Sequence, residues 1–393
     1  MKKRVLVFVP EFPVVTETFI ERELVHLSKS SNLDLKIFSL KKGVGNLSLA
    51  LDGKVENINI SILDIGVGFF QVLFSNFSGI IRCLKIGGLK HLYLLLKSFG
   101  YASVFSYFEP EIIYAHFMSF PSTIGMFCSI LLKCDFAVSA HARDVFEYPE
   151  LPKEKLQNAK FITICNKSAY ERFLAISNPS KSDTSKVHLI YHGVPSEGFS
   201  MNKIATTVSE EKMILMVGRL VEKKGVKYLL EAFKKLKNRN PSAKVRIEII
   251  GTGPLKEDLK AFLQKLGLGS NILVGEKSFS EVLERLKICD LYVQPSIDLS
   301  TGDSDGIPNT LIEAAMLGLP IITTNAGSIS EFLDENSAVI VPQSDSEDLS
   351  LAMERLLKEE GLGLKLGAAA KVKAHEMFAL EANVSKIEKL LLI

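Results

Sequence analysis

The feature that most constrains this chain is one grammar written twice. Short β-favouring apolar runs alternate with amphipathic helical patterns, first from residue 5 to about 194 and again from residue 213 onward. In the first half, runs at 5–9, 35–39, 112–116, 136–141, 161–165 and 187–194 are separated by helical stretches such as 18–28 and 121–132. In the second, runs at 213–217, 245–250, 271–274, 290–294 and 320–323 enclose helical patterns at 226–237 and 279–287, and the tail from Asp345 onward reads as helical. Alternation of this kind dictates βαβ units, hence α/β architecture with parallel sheets. It also predicts where function sits, because open parallel sheets bind ligands at the carboxyl ends of their strands.

A chain of 393 residues is too long for one core and divides into two domains with a cleft between them. The polar, unpatterned stretch after Glu197 marks the boundary, which we set at 1–198 for the first domain, 199–212 for the linker and 213–393 for the second, with the terminal helix free to pack back on the first domain. A net charge of +2 gives no case for nucleic acid. The five cysteines are scattered without metal-ligand spacing and read as buried free thiols of a reducing cytoplasm. The N-terminal apolar run ends at Pro10 after five residues, too short for a signal peptide, and no apolar run of about 18 residues predicts a membrane span.

Five stretches at or beyond strand ends carry chemistry. After the first strand, Thr16 and Thr18 stand in a loop where either caps the next helix or faces a ligand. His141, followed by Ala142-Arg143-Asp144, ends another strand, where Asp144 three residues on would orient the imidazole or raise its pKa; His116 ends a third and is open to a structural or functional role. The run Gly218-Arg219-Leu220-Val221-Glu222-Lys223-Lys224-Gly225 puts Arg219 and Lys224 close enough to meet one anion, or forms a solvated charge cluster. In Gly302-Asp303-Ser304-Asp305-Gly306-Ile307-Pro308-Asn309-Thr310-Leu311-Ile312-Glu313, a Gly/Pro-broken loop passes into a helix beginning at Asn309. Its free N–H groups and positive dipole end suit a diphosphate, with Asp305 and Glu313 flanking it; the alternative is an ordinary surface helix start. Gly251-Thr252-Gly253-Pro254 is only a tight turn, since Lys256 stands where a dinucleotide fingerprint needs glycine.

Between residues 65 and 108 there is no acidic residue, while Arg82, Lys85, Lys90 and Lys97 punctuate a strongly apolar sequence. That composition fits helices lying in an anionic membrane interface, or core helices whose cations reach outward.

Taken together, the 218–225 loop, the Asp305-to-Glu313 stretch and His141-Ala142-Arg143-Asp144 resemble the retaining enzymes of glycosyltransferase family 4. The start, Pro10-Glu11-Phe12-Pro13 through Thr16-Glu17-Thr18-Phe19-Ile20, is similar to the subgroup that builds bacterial exopolysaccharides, including the colanic-acid type. The resemblance implies a GT-B fold, two Rossmann-like domains with parallel sheets facing a central cleft, acceptor bound by the first and nucleotide-sugar donor by the second. It carries Arg219 and Lys224 onto the donor diphosphate, Glu313 onto the ribose and Asp305 onto the transferred sugar. Asp305 stands where the family's E-x7-E motif has glutamate, and Thr16-Glu17-Thr18 replaces the family's Gly-rich first loop.

The expectation is therefore a metal-independent, retaining glycosyltransferase that needs no cofactor beyond its co-substrate, most simply a UDP-sugar, and delivers to a glycan or lipid-linked acceptor in bacterial surface polysaccharide synthesis. His141, Arg219, Lys224 and Asp305 are its expected catalytic residues; Thr16, Arg219, Lys224, Gly306, Ile307, Pro308, Asn309, Thr310 and Glu313 its expected donor contacts; no metal ligands are expected. The protein would be cytoplasmic and peripheral on the inner face of the cell membrane. A nucleotide-sugar epimerase of the same fold, or a non-catalytic nucleotide-sugar-binding protein, would share most of these features.

Overall fold

The computed structural model describes residues 2–14, 17–45, 47–195, 199 and 211–393. Thr16 and nearly all of the expected 199–212 linker lie outside the described residues. The chain forms two compact units, one of Met1–Gly193 with Leu380–Ile393 and one of Val194–Ala379.

Among the described residues of the first unit, seven strands pair in parallel: β1 (Lys3–Phe12), β2 (Leu33–Lys42), β3 (Val55–Asn57), β4 (Ile112–His116), β5 (Asp135–Ala140), β6 (Phe161–Ile164) and β7 (Val187–Leu189). Their order is β3-β2-β1-β4-β5-β6-β7, so the sheet reverses between β1 and β4. Successive residues of a strand face opposite sides, and β1 shows the consequence. Leu6 and Phe8 enter one core, with Phe99, Phe105 and Phe127, while Val5, Val7 and Val9 enter another, with Ile20 and Leu24. That second core also holds Leu380, Val384, Ile387 and Leu391 of the terminal helix Leu380–Leu392. Spacings of three and four put these residues on one stripe, and burying four such side chains contributes on the order of 6–12 kcal/mol.

The second unit repeats the plan. Its strands β8 (Lys212–Val217), β9 (Val245–Ile250), β10 (Leu273–Gly275), β11 (Leu291–Gln294), β12 (Ile321–Thr324) and β13 (Val339–Val341) run in the order β10-β9-β8-β11-β12-β13, all parallel, with the reversal between β8 and β11. The predicted run at 187–194 is strand only as far as Leu189.

The apolar basic stretch forms three helices, Ile62–Ser75, Phe77–Gly87 and Leu92–Ser106. The last buries Leu95, Phe99, Tyr101 and Phe105. The first two bury little and leave Ile62, Leu63, Phe70, Phe74, Phe77, Ile81 and Leu84 exposed, Phe74 by 86%. Among the described residues no single helix is long and apolar enough to cross a membrane, although Ile62–Ser75 and Phe77–Gly87, bent by 113° from each other, pass such a test as a pair.

Candidate functional site

In the second unit the predicted residues gather at the strand reversal. β8 ends at Val217, the loop continues through Gly218 and the exposed Arg219, and a 3-10 turn, Glu222–Lys224, follows. Gly225 has φ of 65°, and a Cβ there would lie 1.9 Å from the carbonyl oxygen of Pro295, so the turn closes against the β11 exit only as glycine. This closure delivers Lys224 to the loop after β11. Its Nζ donates to Asp305 Oδ2 at 2.8 Å, with only 14% and 8% of the two side chains exposed. Ser296 Oγ donates to the same oxygen at 2.7 Å. Gly327, at φ of 55°, packs so tightly against the Asp305 carbonyl that a Cβ would stand 1.7 Å from it. A buried carboxylate between an ammonium and a hydroxyl is a fixed charge pair.

The helix Asn309–Met316 begins just beyond, with Pro308 as its N-cap and no side chain capping its first turn. Its first N–H groups are the kind that meet an anion. Gly306 and Ile307 lead into it. The Thr310 hydroxyl is instead taken inward: it donates to the Val217 carbonyl at 3.1 Å and receives the Tyr292 hydroxyl at 2.8 Å, leaving Thr310 to serve a ligand through its backbone. Glu313, one turn in, is 4% exposed.

In the first unit the carboxyl ends of β4 and β5 and the segment after β7 bring together a chain of imidazoles. His116 Nδ1 lies 3.4 Å from His141 Nε2, and His141 Nδ1 lies 3.1 Å from His192 Nε2. The register puts this in place, since His116 pairs with Ser139 two residues before His141. At the far end His116 Nε2 faces Glu23 Oε1 at 3.7 Å, and Glu23 accepts from the Tyr114 hydroxyl at 3.0 Å. Phe19 stacks on His192 with centroids 4.1 Å apart, and Phe117 meets His141 edge-on at 4.6 Å. Burial disfavours charge here. It pushes His116 down to about 3, with His192 adding to the effect, takes His192 to about 4, and holds His141 well below its ordinary value, helped by His192 and His116. Burial raises Glu23 to about 7 against the pull of the Tyr114 hydroxyl.

This corrects the expected role of Asp144. Its carboxylate accepts from the His141 backbone N–H at 2.9 Å and from that of Met118, and so caps the helix Ala142–Glu147 rather than charging the imidazole. The His141 pKa moves down, not up, because burial disfavours the charged ring and the neighbouring His192 and His116 add to that effect. The structure also joins His141 to His116, His192, Glu23 and Cys165, of which the sequence singled out only His116, as open to a structural or functional role. The cysteines carry no sequence-local metal motif, yet Cys165, just past β6, has its sulfur within 4.8 Å of ring nitrogens of His141 and His192. The one signal that could have found His116, His141, Cys165 and His192 is that each stands at or just past the end of a strand of the same sheet.

Two doubly wound units with an anion-ready helix start at a strand reversal define the GT-B class of fold. Comparison agrees: the chain resembles the structure of Anabaena Alr3699/HepE in complex with UDP at a TM-score of 0.71, covering 99% of each chain at 14% identity, a likeness of fold. Residues 200–373 match the family described as glycosyl transferases group 1. Among relatives, an amylovoran biosynthesis glycosyltransferase, AmsK, of Erwinia amylovora is 31% identical over 195 residues, 49% of this chain and 47% of that protein. A putative colanic acid biosynthesis glycosyltransferase, WcaL, of Escherichia coli strain K12 is 32% identical over 139 residues, 35% of this chain and 34% of its own length. The matched stretch thus spans about half of the first relative and a third of the second. The exopolysaccharide resemblance is carried by these two.

Proposed function

We propose that the protein is a retaining glycosyltransferase that takes a sugar from a UDP-sugar and passes it to a glycan or lipid-linked acceptor during bacterial surface polysaccharide synthesis. The observation that carries this reading is the Lys224–Asp305 pair held beside an uncapped helix start, with Arg219 exposed on the same loop. A departing diphosphate needs positive charge. One cation at about 4 Å and an effective dielectric near 20 stabilises a unit negative charge by about 4 kcal/mol, so Arg219, Lys224 and the Asn309 helix start together suffice without a divalent metal. Lys224 would share its ammonium between Asp305 and the phosphate, Glu313 would hold the ribose, and the backbone from Gly306 to Thr310 would line the diphosphate.

Retention fits the state of Asp305. Its Oδ2 is engaged by both Lys224 and Ser296, which suits a residue that orients a sugar hydroxyl better than a nucleophile of the kind retaining glycosidases use. The acceptor hydroxyl then attacks from the leaving-group face, its proton passing to the departing diphosphate oxygen as the new C–O bond replaces the old. The similar fold solved as a UDP complex supports the donor class, and the names of the two sequence relatives support the polysaccharide setting. The exposed apolar face of Ile62–Ser75 and Phe77–Gly87, with its cations, supports work on the inner face of the cell membrane. Incubation with a panel of radiolabelled nucleotide sugars and membrane lipid extract tests the reading. Label from a UDP-sugar moving into the lipid fraction upholds it; donor sugar isomerised without acceptor, or UDP bound with neither transfer nor hydrolysis, overturns it.

A further inference from the structure

The imidazole chain of the first unit also has the form of a metal site. His141 Nδ1, His192 Nε2 and Cys165 Sγ come within 4.8 Å of one another, and the two nitrogens are 3.1 Å apart. Two nitrogens bound to zinc at about 2.0–2.1 Å and the tetrahedral angle stand roughly 3.3 Å apart, so the pair already has ligand spacing. We propose that His141, His192 and Cys165 bind a zinc ion, with water as the fourth ligand. A cavity of about 10 Å³ adjoins Cys165 and His192, room for one water-sized ligand.

The surroundings prepare the ligands. A metal-bound imidazole ordinarily has its second nitrogen hydrogen-bonded toward a carboxylate. His141 Nε2 faces His116 Nδ1, and His116 Nε2, buried and without a hydrogen bond among the described residues, points at Glu23 Oε1 3.7 Å away. The Glu23 carboxylate favours a proton on His116 Nε2. His116 Nδ1 is then an acceptor, His141 carries its proton on Nε2, and the His141 Nδ1 lone pair is left for the ion. His192 moves its own proton to Nδ1, and Cys165 releases one to solvent as its thiolate bonds the metal. Phe19 and Phe117 fix both rings. Two nitrogens and a sulfur suit zinc and exclude magnesium or calcium, which need oxygen ligands. This inference goes beyond the transfer reaction, and it stands or falls without reference to activity.

Cobalt(II) titration of the full chain provides the test. One equivalent should bind with the visible absorption of tetrahedral cobalt and a thiolate-to-cobalt band in the near ultraviolet. Cys165→Ser should abolish that band and weaken zinc at least ~10-fold, and His116→Gln should weaken zinc ~10-fold to 100-fold while the band remains. Cys134→Ser should change neither. Zinc should also shield Cys165 of the unaltered protein from iodoacetamide, read by mass spectrometry, which needs no variant to fold. Absence of stoichiometric cobalt binding, a near-ultraviolet band that survives Cys165→Ser, or alkylation of Cys165 indifferent to zinc would overturn the site.

Discussion

Lys224 and Asp305, 81 residues apart in the chain, form an ion pair of 2.8 Å that is almost closed to solvent. The pair ties the loop after β8 to the loop after β11, and Arg219 stands exposed on the first of these loops. The two cations therefore have separable consequences.

Lys224→Ala removes both a charge that the proposed transfer aims at the leaving diphosphate and the partner of a buried carboxylate. Turnover should fall about 10²-fold to 10³-fold, and the loss of about 3 kcal/mol expected for an orphaned buried charge should lower Tm. Arg219→Ala should cost similar turnover and leave Tm in place. Kinetics with a UDP-sugar beside thermal melts separate these outcomes, and unchanged turnover in Arg219→Ala would make that guanidinium ordinary solvated surface.

Glu313→Gln keeps the shape of a buried side chain and weakens its acceptance of hydrogen bonds. Donor KM should rise more than kcat falls. Calorimetric titration with UDP checks this directly, and an unaltered Kd would remove Glu313 from the ribose.

Lys155 predicts an alkaline gain in stability. Its ammonium is buried, donates to the carbonyls of Met118 and Ser119 at 2.7 and 2.9 Å, and has its pKa pushed down to about 7 by desolvation against Glu150, Asp144 and Glu154. The unfolded chain keeps this proton to about 10.5, so above pH 7 it binds more protons than the folded state and stability rises with pH, by at most about 1.4 kcal/mol per unit. Asp144, raised from 3.8 to about 7 by burial, works oppositely and lowers stability as pH climbs toward 7. Urea midpoints at pH 7.0 and 8.5 should increase in the unaltered protein, and Lys155→Met should flatten that increase. An equal slope in both would place the lysine's titration elsewhere.

The exposed face of Ile62–Ser75 and Phe77–Gly87 should bind liposomes increasingly with anionic lipid and less in high salt, because apolar insertion combines with screened attraction. Changing Arg82, Lys85, Lys90 and Lys97 together to Ser should remove the anionic preference, and Phe70→Ser with Phe74→Ser should weaken flotation on both lipid types. Equal recovery on neutral and anionic vesicles, or none on either, would speak for helices that meet something other than a charged bilayer.

What the sequence determined by itself was local. Apolar runs of five or six residues, glycines at strand exits and the break before Asn309 are short-range signals, so β1, β4, β9 and the helix Asn309–Met316 were all legible, and with them the α/β class and the loop that leads into that helix. Three-residue strands such as β3 and β13 carry too little pattern to see. What tertiary structure alone decided depends on register across a parallel sheet. Pairing His116 with Ser139 sets His141 beside it, the β6 exit brings Cys165, and the segment after β7 brings His192, none of which any spacing along the chain encodes. The direction of the His141 pKa was likewise undecidable from Asp144 three residues away, because charge in an imidazole is governed by how fully water is excluded, and that is settled only when distant strands close around it.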